Sequence, residues 1–467
     1  MSFKQITYLI IFISIIHPTF GQGGSLTIEN TLAIVKKYHP VIKQSILQNK
    51  IAQNEITVAK SIFDPTIQIN TEEKSFDNKF YYKINNSELK IPLWYGIDVK
   101  AGLENNIGDR LDPSLTNNKS SFVGISIDPF RGILLDKRKA IILQAKGFLD
   151  LTKNEQNIVV NDLLFEASNA YWNWVNAYYN FQILQKTVLN NKERFEVIKK
   201  SFLSGDRAAI DTTESLTQLQ TFEILETQAA LELQKAKNEL SNFFWTENGL
   251  PYELNLSIQP DNLFEIQNIN LIDIENLESL IQKGTNNHPK IKLADSKLNI
   301  LDIEKRIKTI ELFPTLKMNY NTLDYNYTTK NLINNFNVSN NFKYGITLSM
   351  PLFQRNARGE IAKTKNKIEE QNWNKKYISL EIENKIKNSF TEFYSLKEQV
   401  KTNENILVAN KLLFDTENTK FKLGESSLFL INNRELKYIE SEQKHISLKS
   451  KLYLSMYKNL WAIGGLL

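Results

Sequence analysis

Residues 39–65, "HPVIKQSILQNKIAQNEITVAKSIFDP", return in outline at residues 288–314 as "HPKIKLADSKLNILDIEKRIKTIELFP". Both stretches open on His-Pro, close on Pro and have the same length. At the offset of 249 residues that aligns them, Ile42 pairs with Ile291, Ile51 with Ile300, Glu55 with Glu304 and Val58 with Ile307. The matches fall at helical spacing, so 27–61 and 275–311 read as equivalent helices, each ended by the Pro that follows. The chain is built twice.

Beyond each closing Pro the pattern changes to alternation. Ile67 and Ile69 share one face of "PTIQINT", and Leu316, Met318 and Tyr320 share one face of "PTLKMNYNT". Return strands follow, with Val123, Ile125 and Ile127 in the first half and Tyr344, Ile346 and Leu348 in the second, closed by Pro129 and Pro351. Asn-rich stretches separate outgoing from returning strands, and aromatics including Tyr81, Tyr82, Trp94, Tyr95, Tyr325, Tyr327, Phe342 and Tyr344 cluster around them. Such girdles suit a membrane barrel, but alternation alone leaves a soluble sandwich sheet equally open.

Each half then turns helical for a long distance, about 133–203 and 357–422, bends at Gly205 or Gly424, and runs back to about 245 or 462. The outgoing helix would measure ~106 Å and the returning one ~60 Å, while the helix at 27–61 supplies a further ~52 Å. The two shorter helices are therefore expected to stack end to end beside the long one. In this part the halves align at an offset of 219, pairing Tyr171 with Phe390, Trp174 with Phe393 and Gly205 with Gly424. The drop from 249 to 219 places about thirty extra residues in the first strand region, enough for an additional hairpin whose place in a barrel stays open.

Composition narrows the class. Only 17 Gly and 11 Pro in 467 residues leave little punctuation, so long elements are expected. The net charge of +5 is spread without a basic block, which gives no reason to propose nucleic acid as a partner. Lys4, the apolar run Ile6 to Ile16, and Thr19, Phe20 and Gly21 ahead of Gln22 read as a secretory signal at 1–21. No stretch approaches the ~20 apolar residues of a spanning helix, so a mature chain that crosses a membrane must do so as a barrel. There is no cysteine, hence no disulfide, thiolate metal site or lipid-anchor cysteine. His39 and His288 hold equivalent places before helices, which favours a structural role over metal binding. With His445 they are the only histidines after the signal. No phosphate loop or nucleophile elbow is present, so no catalytic residue, metal or cofactor is expected. The expected organisation is 22–245 for the first repeat, 246–272 for a linker and 273–467 for the second repeat.

Signal, tandem repeat, strands between helices, and a long helical hairpin with a Phe-x-x-Gly turn in each half together resemble the TolC-like outer membrane efflux proteins. The resemblance covers nearly the whole mature chain. It implies a mainly α fold with β, in which long antiparallel helical hairpins form an α-barrel tunnel and strands contribute to a shared trimeric membrane β-barrel. It also implies a homotrimer in the outer membrane of a Gram-negative bacterium, with the tunnel in the periplasm. The implied role is the passive exit duct of a tripartite efflux or type I secretion system. Its partners would be outer membrane lipid, a periplasmic adaptor and an inner membrane pump. The competing reading is an exported coiled-coil scaffold or adhesin without a channel, since "ASNAYWNWVNAYYNFQIL" can bury a seam in any helical bundle.

In the turn "FLSGDRAAIDTTE", Gly205 suits a left-handed helix end and Asp206 an N-cap. The resemblance implies that Asp211, six residues after the Gly, contributes to a closed periplasmic gate. A capping box of Asp211 with Glu214 weighs equally. In "FKLGESSLFLINNRE" the equivalent position is Leu430, and Ser426 stands where relatives carry Arg. The gate this sequence permits is thus Asp211 with Arg207, repeated by threefold symmetry, and Leu430 as a hydrophobic constriction. Leu203, Ser204, Gly205, Leu423 and Gly424 are the implied adaptor-docking tips.

Overall fold

The computed structural model describes residues 25–134, 136–254, 258–261, 276–325 and 341–467. The signal at 1–21, the loop at 326–340 and much of the linker at 246–272 lie outside the described residues. In chain order the elements are β1 (Ser25–Leu26), α1 (Ile28–Tyr38), α2 (Pro40–Lys60), β2 (Thr66–Phe76), β3 (Lys79–Pro92), β4 (Ile97–Ile107), β5 (Asn118–Ile127), α3 (Pro129–Leu134), α4 (Lys137–Leu203) and α5 (Ala209–Ser241). There follow β6 (Gln259–Pro260), α6 (Leu277–Asn287), α7 (Pro289–Ile310), β7 (Thr315–Tyr325), β8 (Phe342–Ser349), α8 (Arg355–Lys422) and α9 (Leu428–Ala462). They fall into two compact units that each draw on both repeats. The first lies within 1–39, 164–274 and 392–457, the second within 40–163, 275–391 and 458–467.

The helices expected over 27–61 and 275–311 are each broken at the His-Pro pair. Proline pushes the residue before it into extended backbone, and His39 (φ −63°, ψ 133°) and His288 (φ −59°, ψ 132°) both obey. Side-chain caps start three of the four helices. Thr27 Oγ1 accepts from the Asn30 N–H at 3.2 Å, starting α1, and Asn276 Oδ1 accepts from the Glu278 N–H at 3.4 Å, starting α6. At the start of α7, His288 Nδ1 accepts from the Lys290 N–H at 3.1 Å.

In the second unit the six long strands form one antiparallel sheet in the order β2-β3-β4-β5-β7-β8. The thirty extra residues of the first repeat are β3 and β4, inserted between outgoing β2 and returning β5, so the chain contributes six strands rather than the four counted from the repeat. Over the ends of the strands nearest the helices the register gathers apolar side chains on one face, while Thr71, Asn85, Asn105 and Lys119 continue that face as a polar row. Ile67 opposes Leu89, Val99 opposes Ile125, Ile127 opposes Met318, and Met318 opposes Ile346 on one face. Gln68 opposes Glu88, Lys90 opposes Lys100, Asp98 opposes Ser126, and Lys317 opposes Thr347 on the other. The apolar face is uncovered: Ile67 is 76% and Ile346 62% exposed. Among the described residues, β2 and β8 each pair on one side only.

The long helix expected from 133 starts instead at Lys137, because Asp136 interrupts it. The Asp136 carboxylate accepts from the Arg138 N–H at 3.0 Å and from the Tyr95 N–H at 2.9 Å, capping α4 and tying it to the β3–β4 turn. Helices α4 and α8 then run 67 and 68 residues, each about 100 Å at 1.5 Å per residue. No described helix is long and apolar enough to cross a membrane.

The aromatic stretch of α4 is core. In the first unit Tyr171, Trp172 and Trp174 are buried with Leu240, Phe244, Phe393, Leu452 and Met456. Trp172 stacks on Tyr453 at 4.9 Å, and the Tyr171 hydroxyl donates to the Leu26 carbonyl at 2.8 Å, beside the parallel pairing of β1 with β6. Of the expected end-to-end stacking of the shorter helices, the first unit holds only a contact between the ends of α1 and α5. The His39 ring, at the end of α1, lies 6.0 Å from Phe243 and 6.3 Å from Trp245, just past the end of α5.

Candidate functional site

The paired turns that end α4 and α8, both in the first unit, are built alike from backbone upward. At the first, the Asp206 N–H donates to the Ser201 carbonyl (2.9 Å) and the Gly205 N–H to the Phe202 carbonyl (3.0 Å). At the second, Glu425 donates to Lys420 (2.9 Å) and Gly424 to Phe421 (3.1 Å). This double closure requires a left-handed residue, and Gly205 (φ +86°) and Gly424 (φ +78°) supply it.

The capping expectations at the first turn fail. The residue before α5 is Ala208, whose methyl offers no acceptor. Asp206 is held away because its carboxylate accepts from the Ser204 hydroxyl at 3.1 Å. Glu214 accepts from Asn432 Nδ2 at 3.3 Å, so it forms no box with Asp211. Asp211 instead sits in the first turn of α5, where a carboxylate suits the helix dipole, and its Oδ2 lies 3.6 Å from Arg207 Nη1. The same guanidinium covers the Phe421 ring at 4.3 Å, so Arg207 joins one turn to the other. Half-open pairs of this kind are worth only about 0.5 kcal/mol.

Leu430, two residues into α9, is 45% exposed, and its N–H donates to Ser427 Oγ at 3.4 Å. It lies apart from Ile198, Leu428 and Ile431, which form the small buried cluster under the turns together with Phe414 and Phe421. Ser426 donates to the Glu417 carboxylate. Leu203 and Leu423 are 75% and 69% exposed, and Ile210 and Phe429 flank a groove of about 730 Å³ between the first turns of α5 and α9. The tips thus present apolar side chains on turns closed by backbone hydrogen bonds, with one modest charge pair beside them.

Sequence reasoning missed the polar network just behind the tips. Arg194 of α4 forms a bidentate pair with Glu435 of α9, at 2.7 and 3.0 Å, with both side chains largely buried. Asn432 Oδ1 accepts from Arg194 at 3.4 Å while its amide reaches Glu214 of α5, so three helices share one network. The partners are 241 residues apart and follow no repeat offset, so no local signal marks them. Nearby, burial pushes the Tyr438 hydroxyl up to about 12 and raises the Glu442 carboxyl as well.

No protein-family model fits the sequence, and no curated protein sequence matches it. Solved structures do match. The Campylobacter jejuni CmeC outer membrane channel superposes with a TM-score of 0.65 at 13% identity, over 94% of this chain and 85% of that one. The open-state Neisseria gonorrhoeae MtrE outer membrane channel gives 0.67 at 12%, over 94% and 89%. The Vibrio cholerae outer membrane protein VceC gives 0.64 at 12%, over 94% and 96%. The chain therefore has the fold of TolC-like outer membrane channels, long helices with strands, as the resemblance implied.

Proposed function

We propose that this chain is the outer membrane exit duct of a tripartite efflux or secretion system, placed in a Gram-negative outer membrane with its helices in the periplasm. One observation carries the reading: a six-stranded sheet with an exposed apolar band on one face, a mostly polar opposite face and, among the described residues, two half-paired edge strands. An exposed apolar face of this extent needs a solvent that water does not provide, and open edges need partners. Lipid satisfies the first need. A homotrimer closing an eighteen-stranded barrel satisfies the second, since a barrel of that size encloses an aqueous channel. The scaffold or adhesin alternative has no use for such a sheet. Transport is passive, an adaptor docks on the tips around Gly205 and Gly424, and a pump in the inner membrane supplies energy and selects the cargo.

In this reading Asp211, Arg207 and Leu430 from three chains narrow the periplasmic entrance. Cysteines placed in this cysteine-free chain at Gln68 of β2 and Thr347 of β8 test the closure. The duct predicts an oxidised ladder ending at three chains, and cross-linking confined within single chains contradicts it. For the gate, Asp211→Ala is expected to raise single-channel conductance or admit large antibiotics. A folded trimer with both unchanged would remove Asp211 from the gate.

A further inference from the structure

In the second unit α2, the first part of α4, α7 and the first part of α8 stand side by side in that order. Asn49 of α2 donates to Gln156 of α4, and Asn154 of α4 donates to Ser296 Oγ of α7 at 3.1 Å. Asp295 and Glu304 of α7 pair in turn with Lys375 and Lys367 of α8, at 2.6 and 3.6 Å. Both ends of this row carry apolar stripes. Leu47, Ile51 and Val58 of α2, and Trp373, Tyr377 and Leu380 of α8, are all exposed, Leu47 by 55% and Trp373 by 62%. At about 100° per residue each stripe lies roughly half a turn around its helix from Asn49 or Lys375, which face into the row. The stripes therefore face away from their own neighbours.

The duplication identifies what meets them. Helix α7 is the repeat equivalent of α2, and α8 that of α4, so the α4–α7 junction joins the long helix of the first repeat to the short helix of the second. Its counterpart joins α8 to an α2, and this chain's own α2 is held on α4 at the opposite end of the row. We propose that α2 of one copy packs beside α8 of the next and seals the helical wall between them. The offsets of 219 and 249 set the register: Trp373 takes the place of Asn154, and Leu47 that of Ser296. A hydrogen bond inside the chain thus becomes an aromatic ring on an aliphatic side chain between chains. Association between copies must offset lost translational freedom by burying apolar surface, and large aromatic anchors do so most effectively. The edge strands agree, since α2 leads into β2 and β8 leads into α8. This seam presupposes the trimeric duct, whose closure pairs β2 with β8 without specifying the helix contacts.

Leu47→Cys with Trp373→Cys, joined by a short bis-maleimide in the detergent-extracted protein, tests the seam. Linkage is expected to run through two chains to three. Val58→Cys with Leu380→Cys, on the same stripes but about 27 Å apart in height at 1.5 Å per residue, is expected to stay unlinked. Trp373→Ala, at a side chain exposed in the single chain, is expected to raise the dissociated fraction about tenfold while leaving helix content unchanged. If cysteines at Gln68 and Thr347 give a ladder of three chains while the Leu47 and Trp373 pair gives none, or both stripe pairs link equally, the seam is overturned and the duct stands. Unchanged dissociation of the Trp373→Ala variant overturns the seam in the same way. Absence of both ladders overturns the seam and the duct together.

Discussion

At Arg194 and Glu435 two opposite charges are buried together, and the energetics of that choice are asymmetric. Removing one partner strands the other in a site without water, which costs about 3–5 kcal/mol, whereas replacing both with apolar residues of similar size is near neutral. Arg194→Met alone is therefore expected to lower the thermal midpoint sharply, and Arg194→Met with Glu435→Met to restore most of it. Equal loss in the single and double variants would show that the pair's role is packing. His288 makes a second residue-scale case. Burial, with Lys290 and Lys385 adding to it, lowers its pKa from 6.5 to about 4, and its neutral Nδ1 accepts the Lys290 N–H. The unfolded chain binds this proton where the folded one does not. The stabilisation is thus complete above pH 6.5 and is lost as pH falls towards 4, by about 3 kcal/mol at most. Burial lowers His39 and His445 too, in the same sense. His288→Asn, which keeps a cap acceptor and removes the titration, should flatten the dependence of melting on pH between 7 and 4.5. An unchanged slope would assign the acid sensitivity to other groups.

The elements were legible to different degrees, for physical reasons. Long helices and their glycine turns could be read because both periodicity and the demand for a left-handed residue are local. The breaks at His39 and His288 carried an equally local sign, a residue forced extended by the proline after it, which continuous apolar spacing obscured. The β3–β4 hairpin was visible only as surplus length, because an inserted hairpin leaves each strand's own alternation intact and its neighbours unspecified. At the tips Asp206 has the composition of a cap, but the Ser204 hydroxyl claims its carboxylate. The network of Arg194, Glu435, Asn432 and Glu214 exists only once three helices are side by side. The two sheet faces predict opposite tolerances. Ile346→Lys on the apolar face should cost about 2–4 kcal/mol or block membrane assembly, and Thr347→Lys on the polar face should be accepted. Equal behaviour of the two would mean that neither face meets lipid.

For the whole molecule, the duplication explains why one chain carries two helical hairpins with the same turn and strands from both repeats in one sheet. What the chain lacks by itself is closure. Among the described residues the six strands leave an edge at each end whose backbone groups demand a partner, and in the proposed trimer three copies would meet the demand by pairing every edge. The central claim is thus about number, and the protein mass after extraction from a fractionated outer membrane, with bound detergent subtracted, tests it most directly. The account predicts a stable particle of three chain masses that requires detergent to stay dispersed. A monomer or dimer that leaves the membrane without detergent would contradict it.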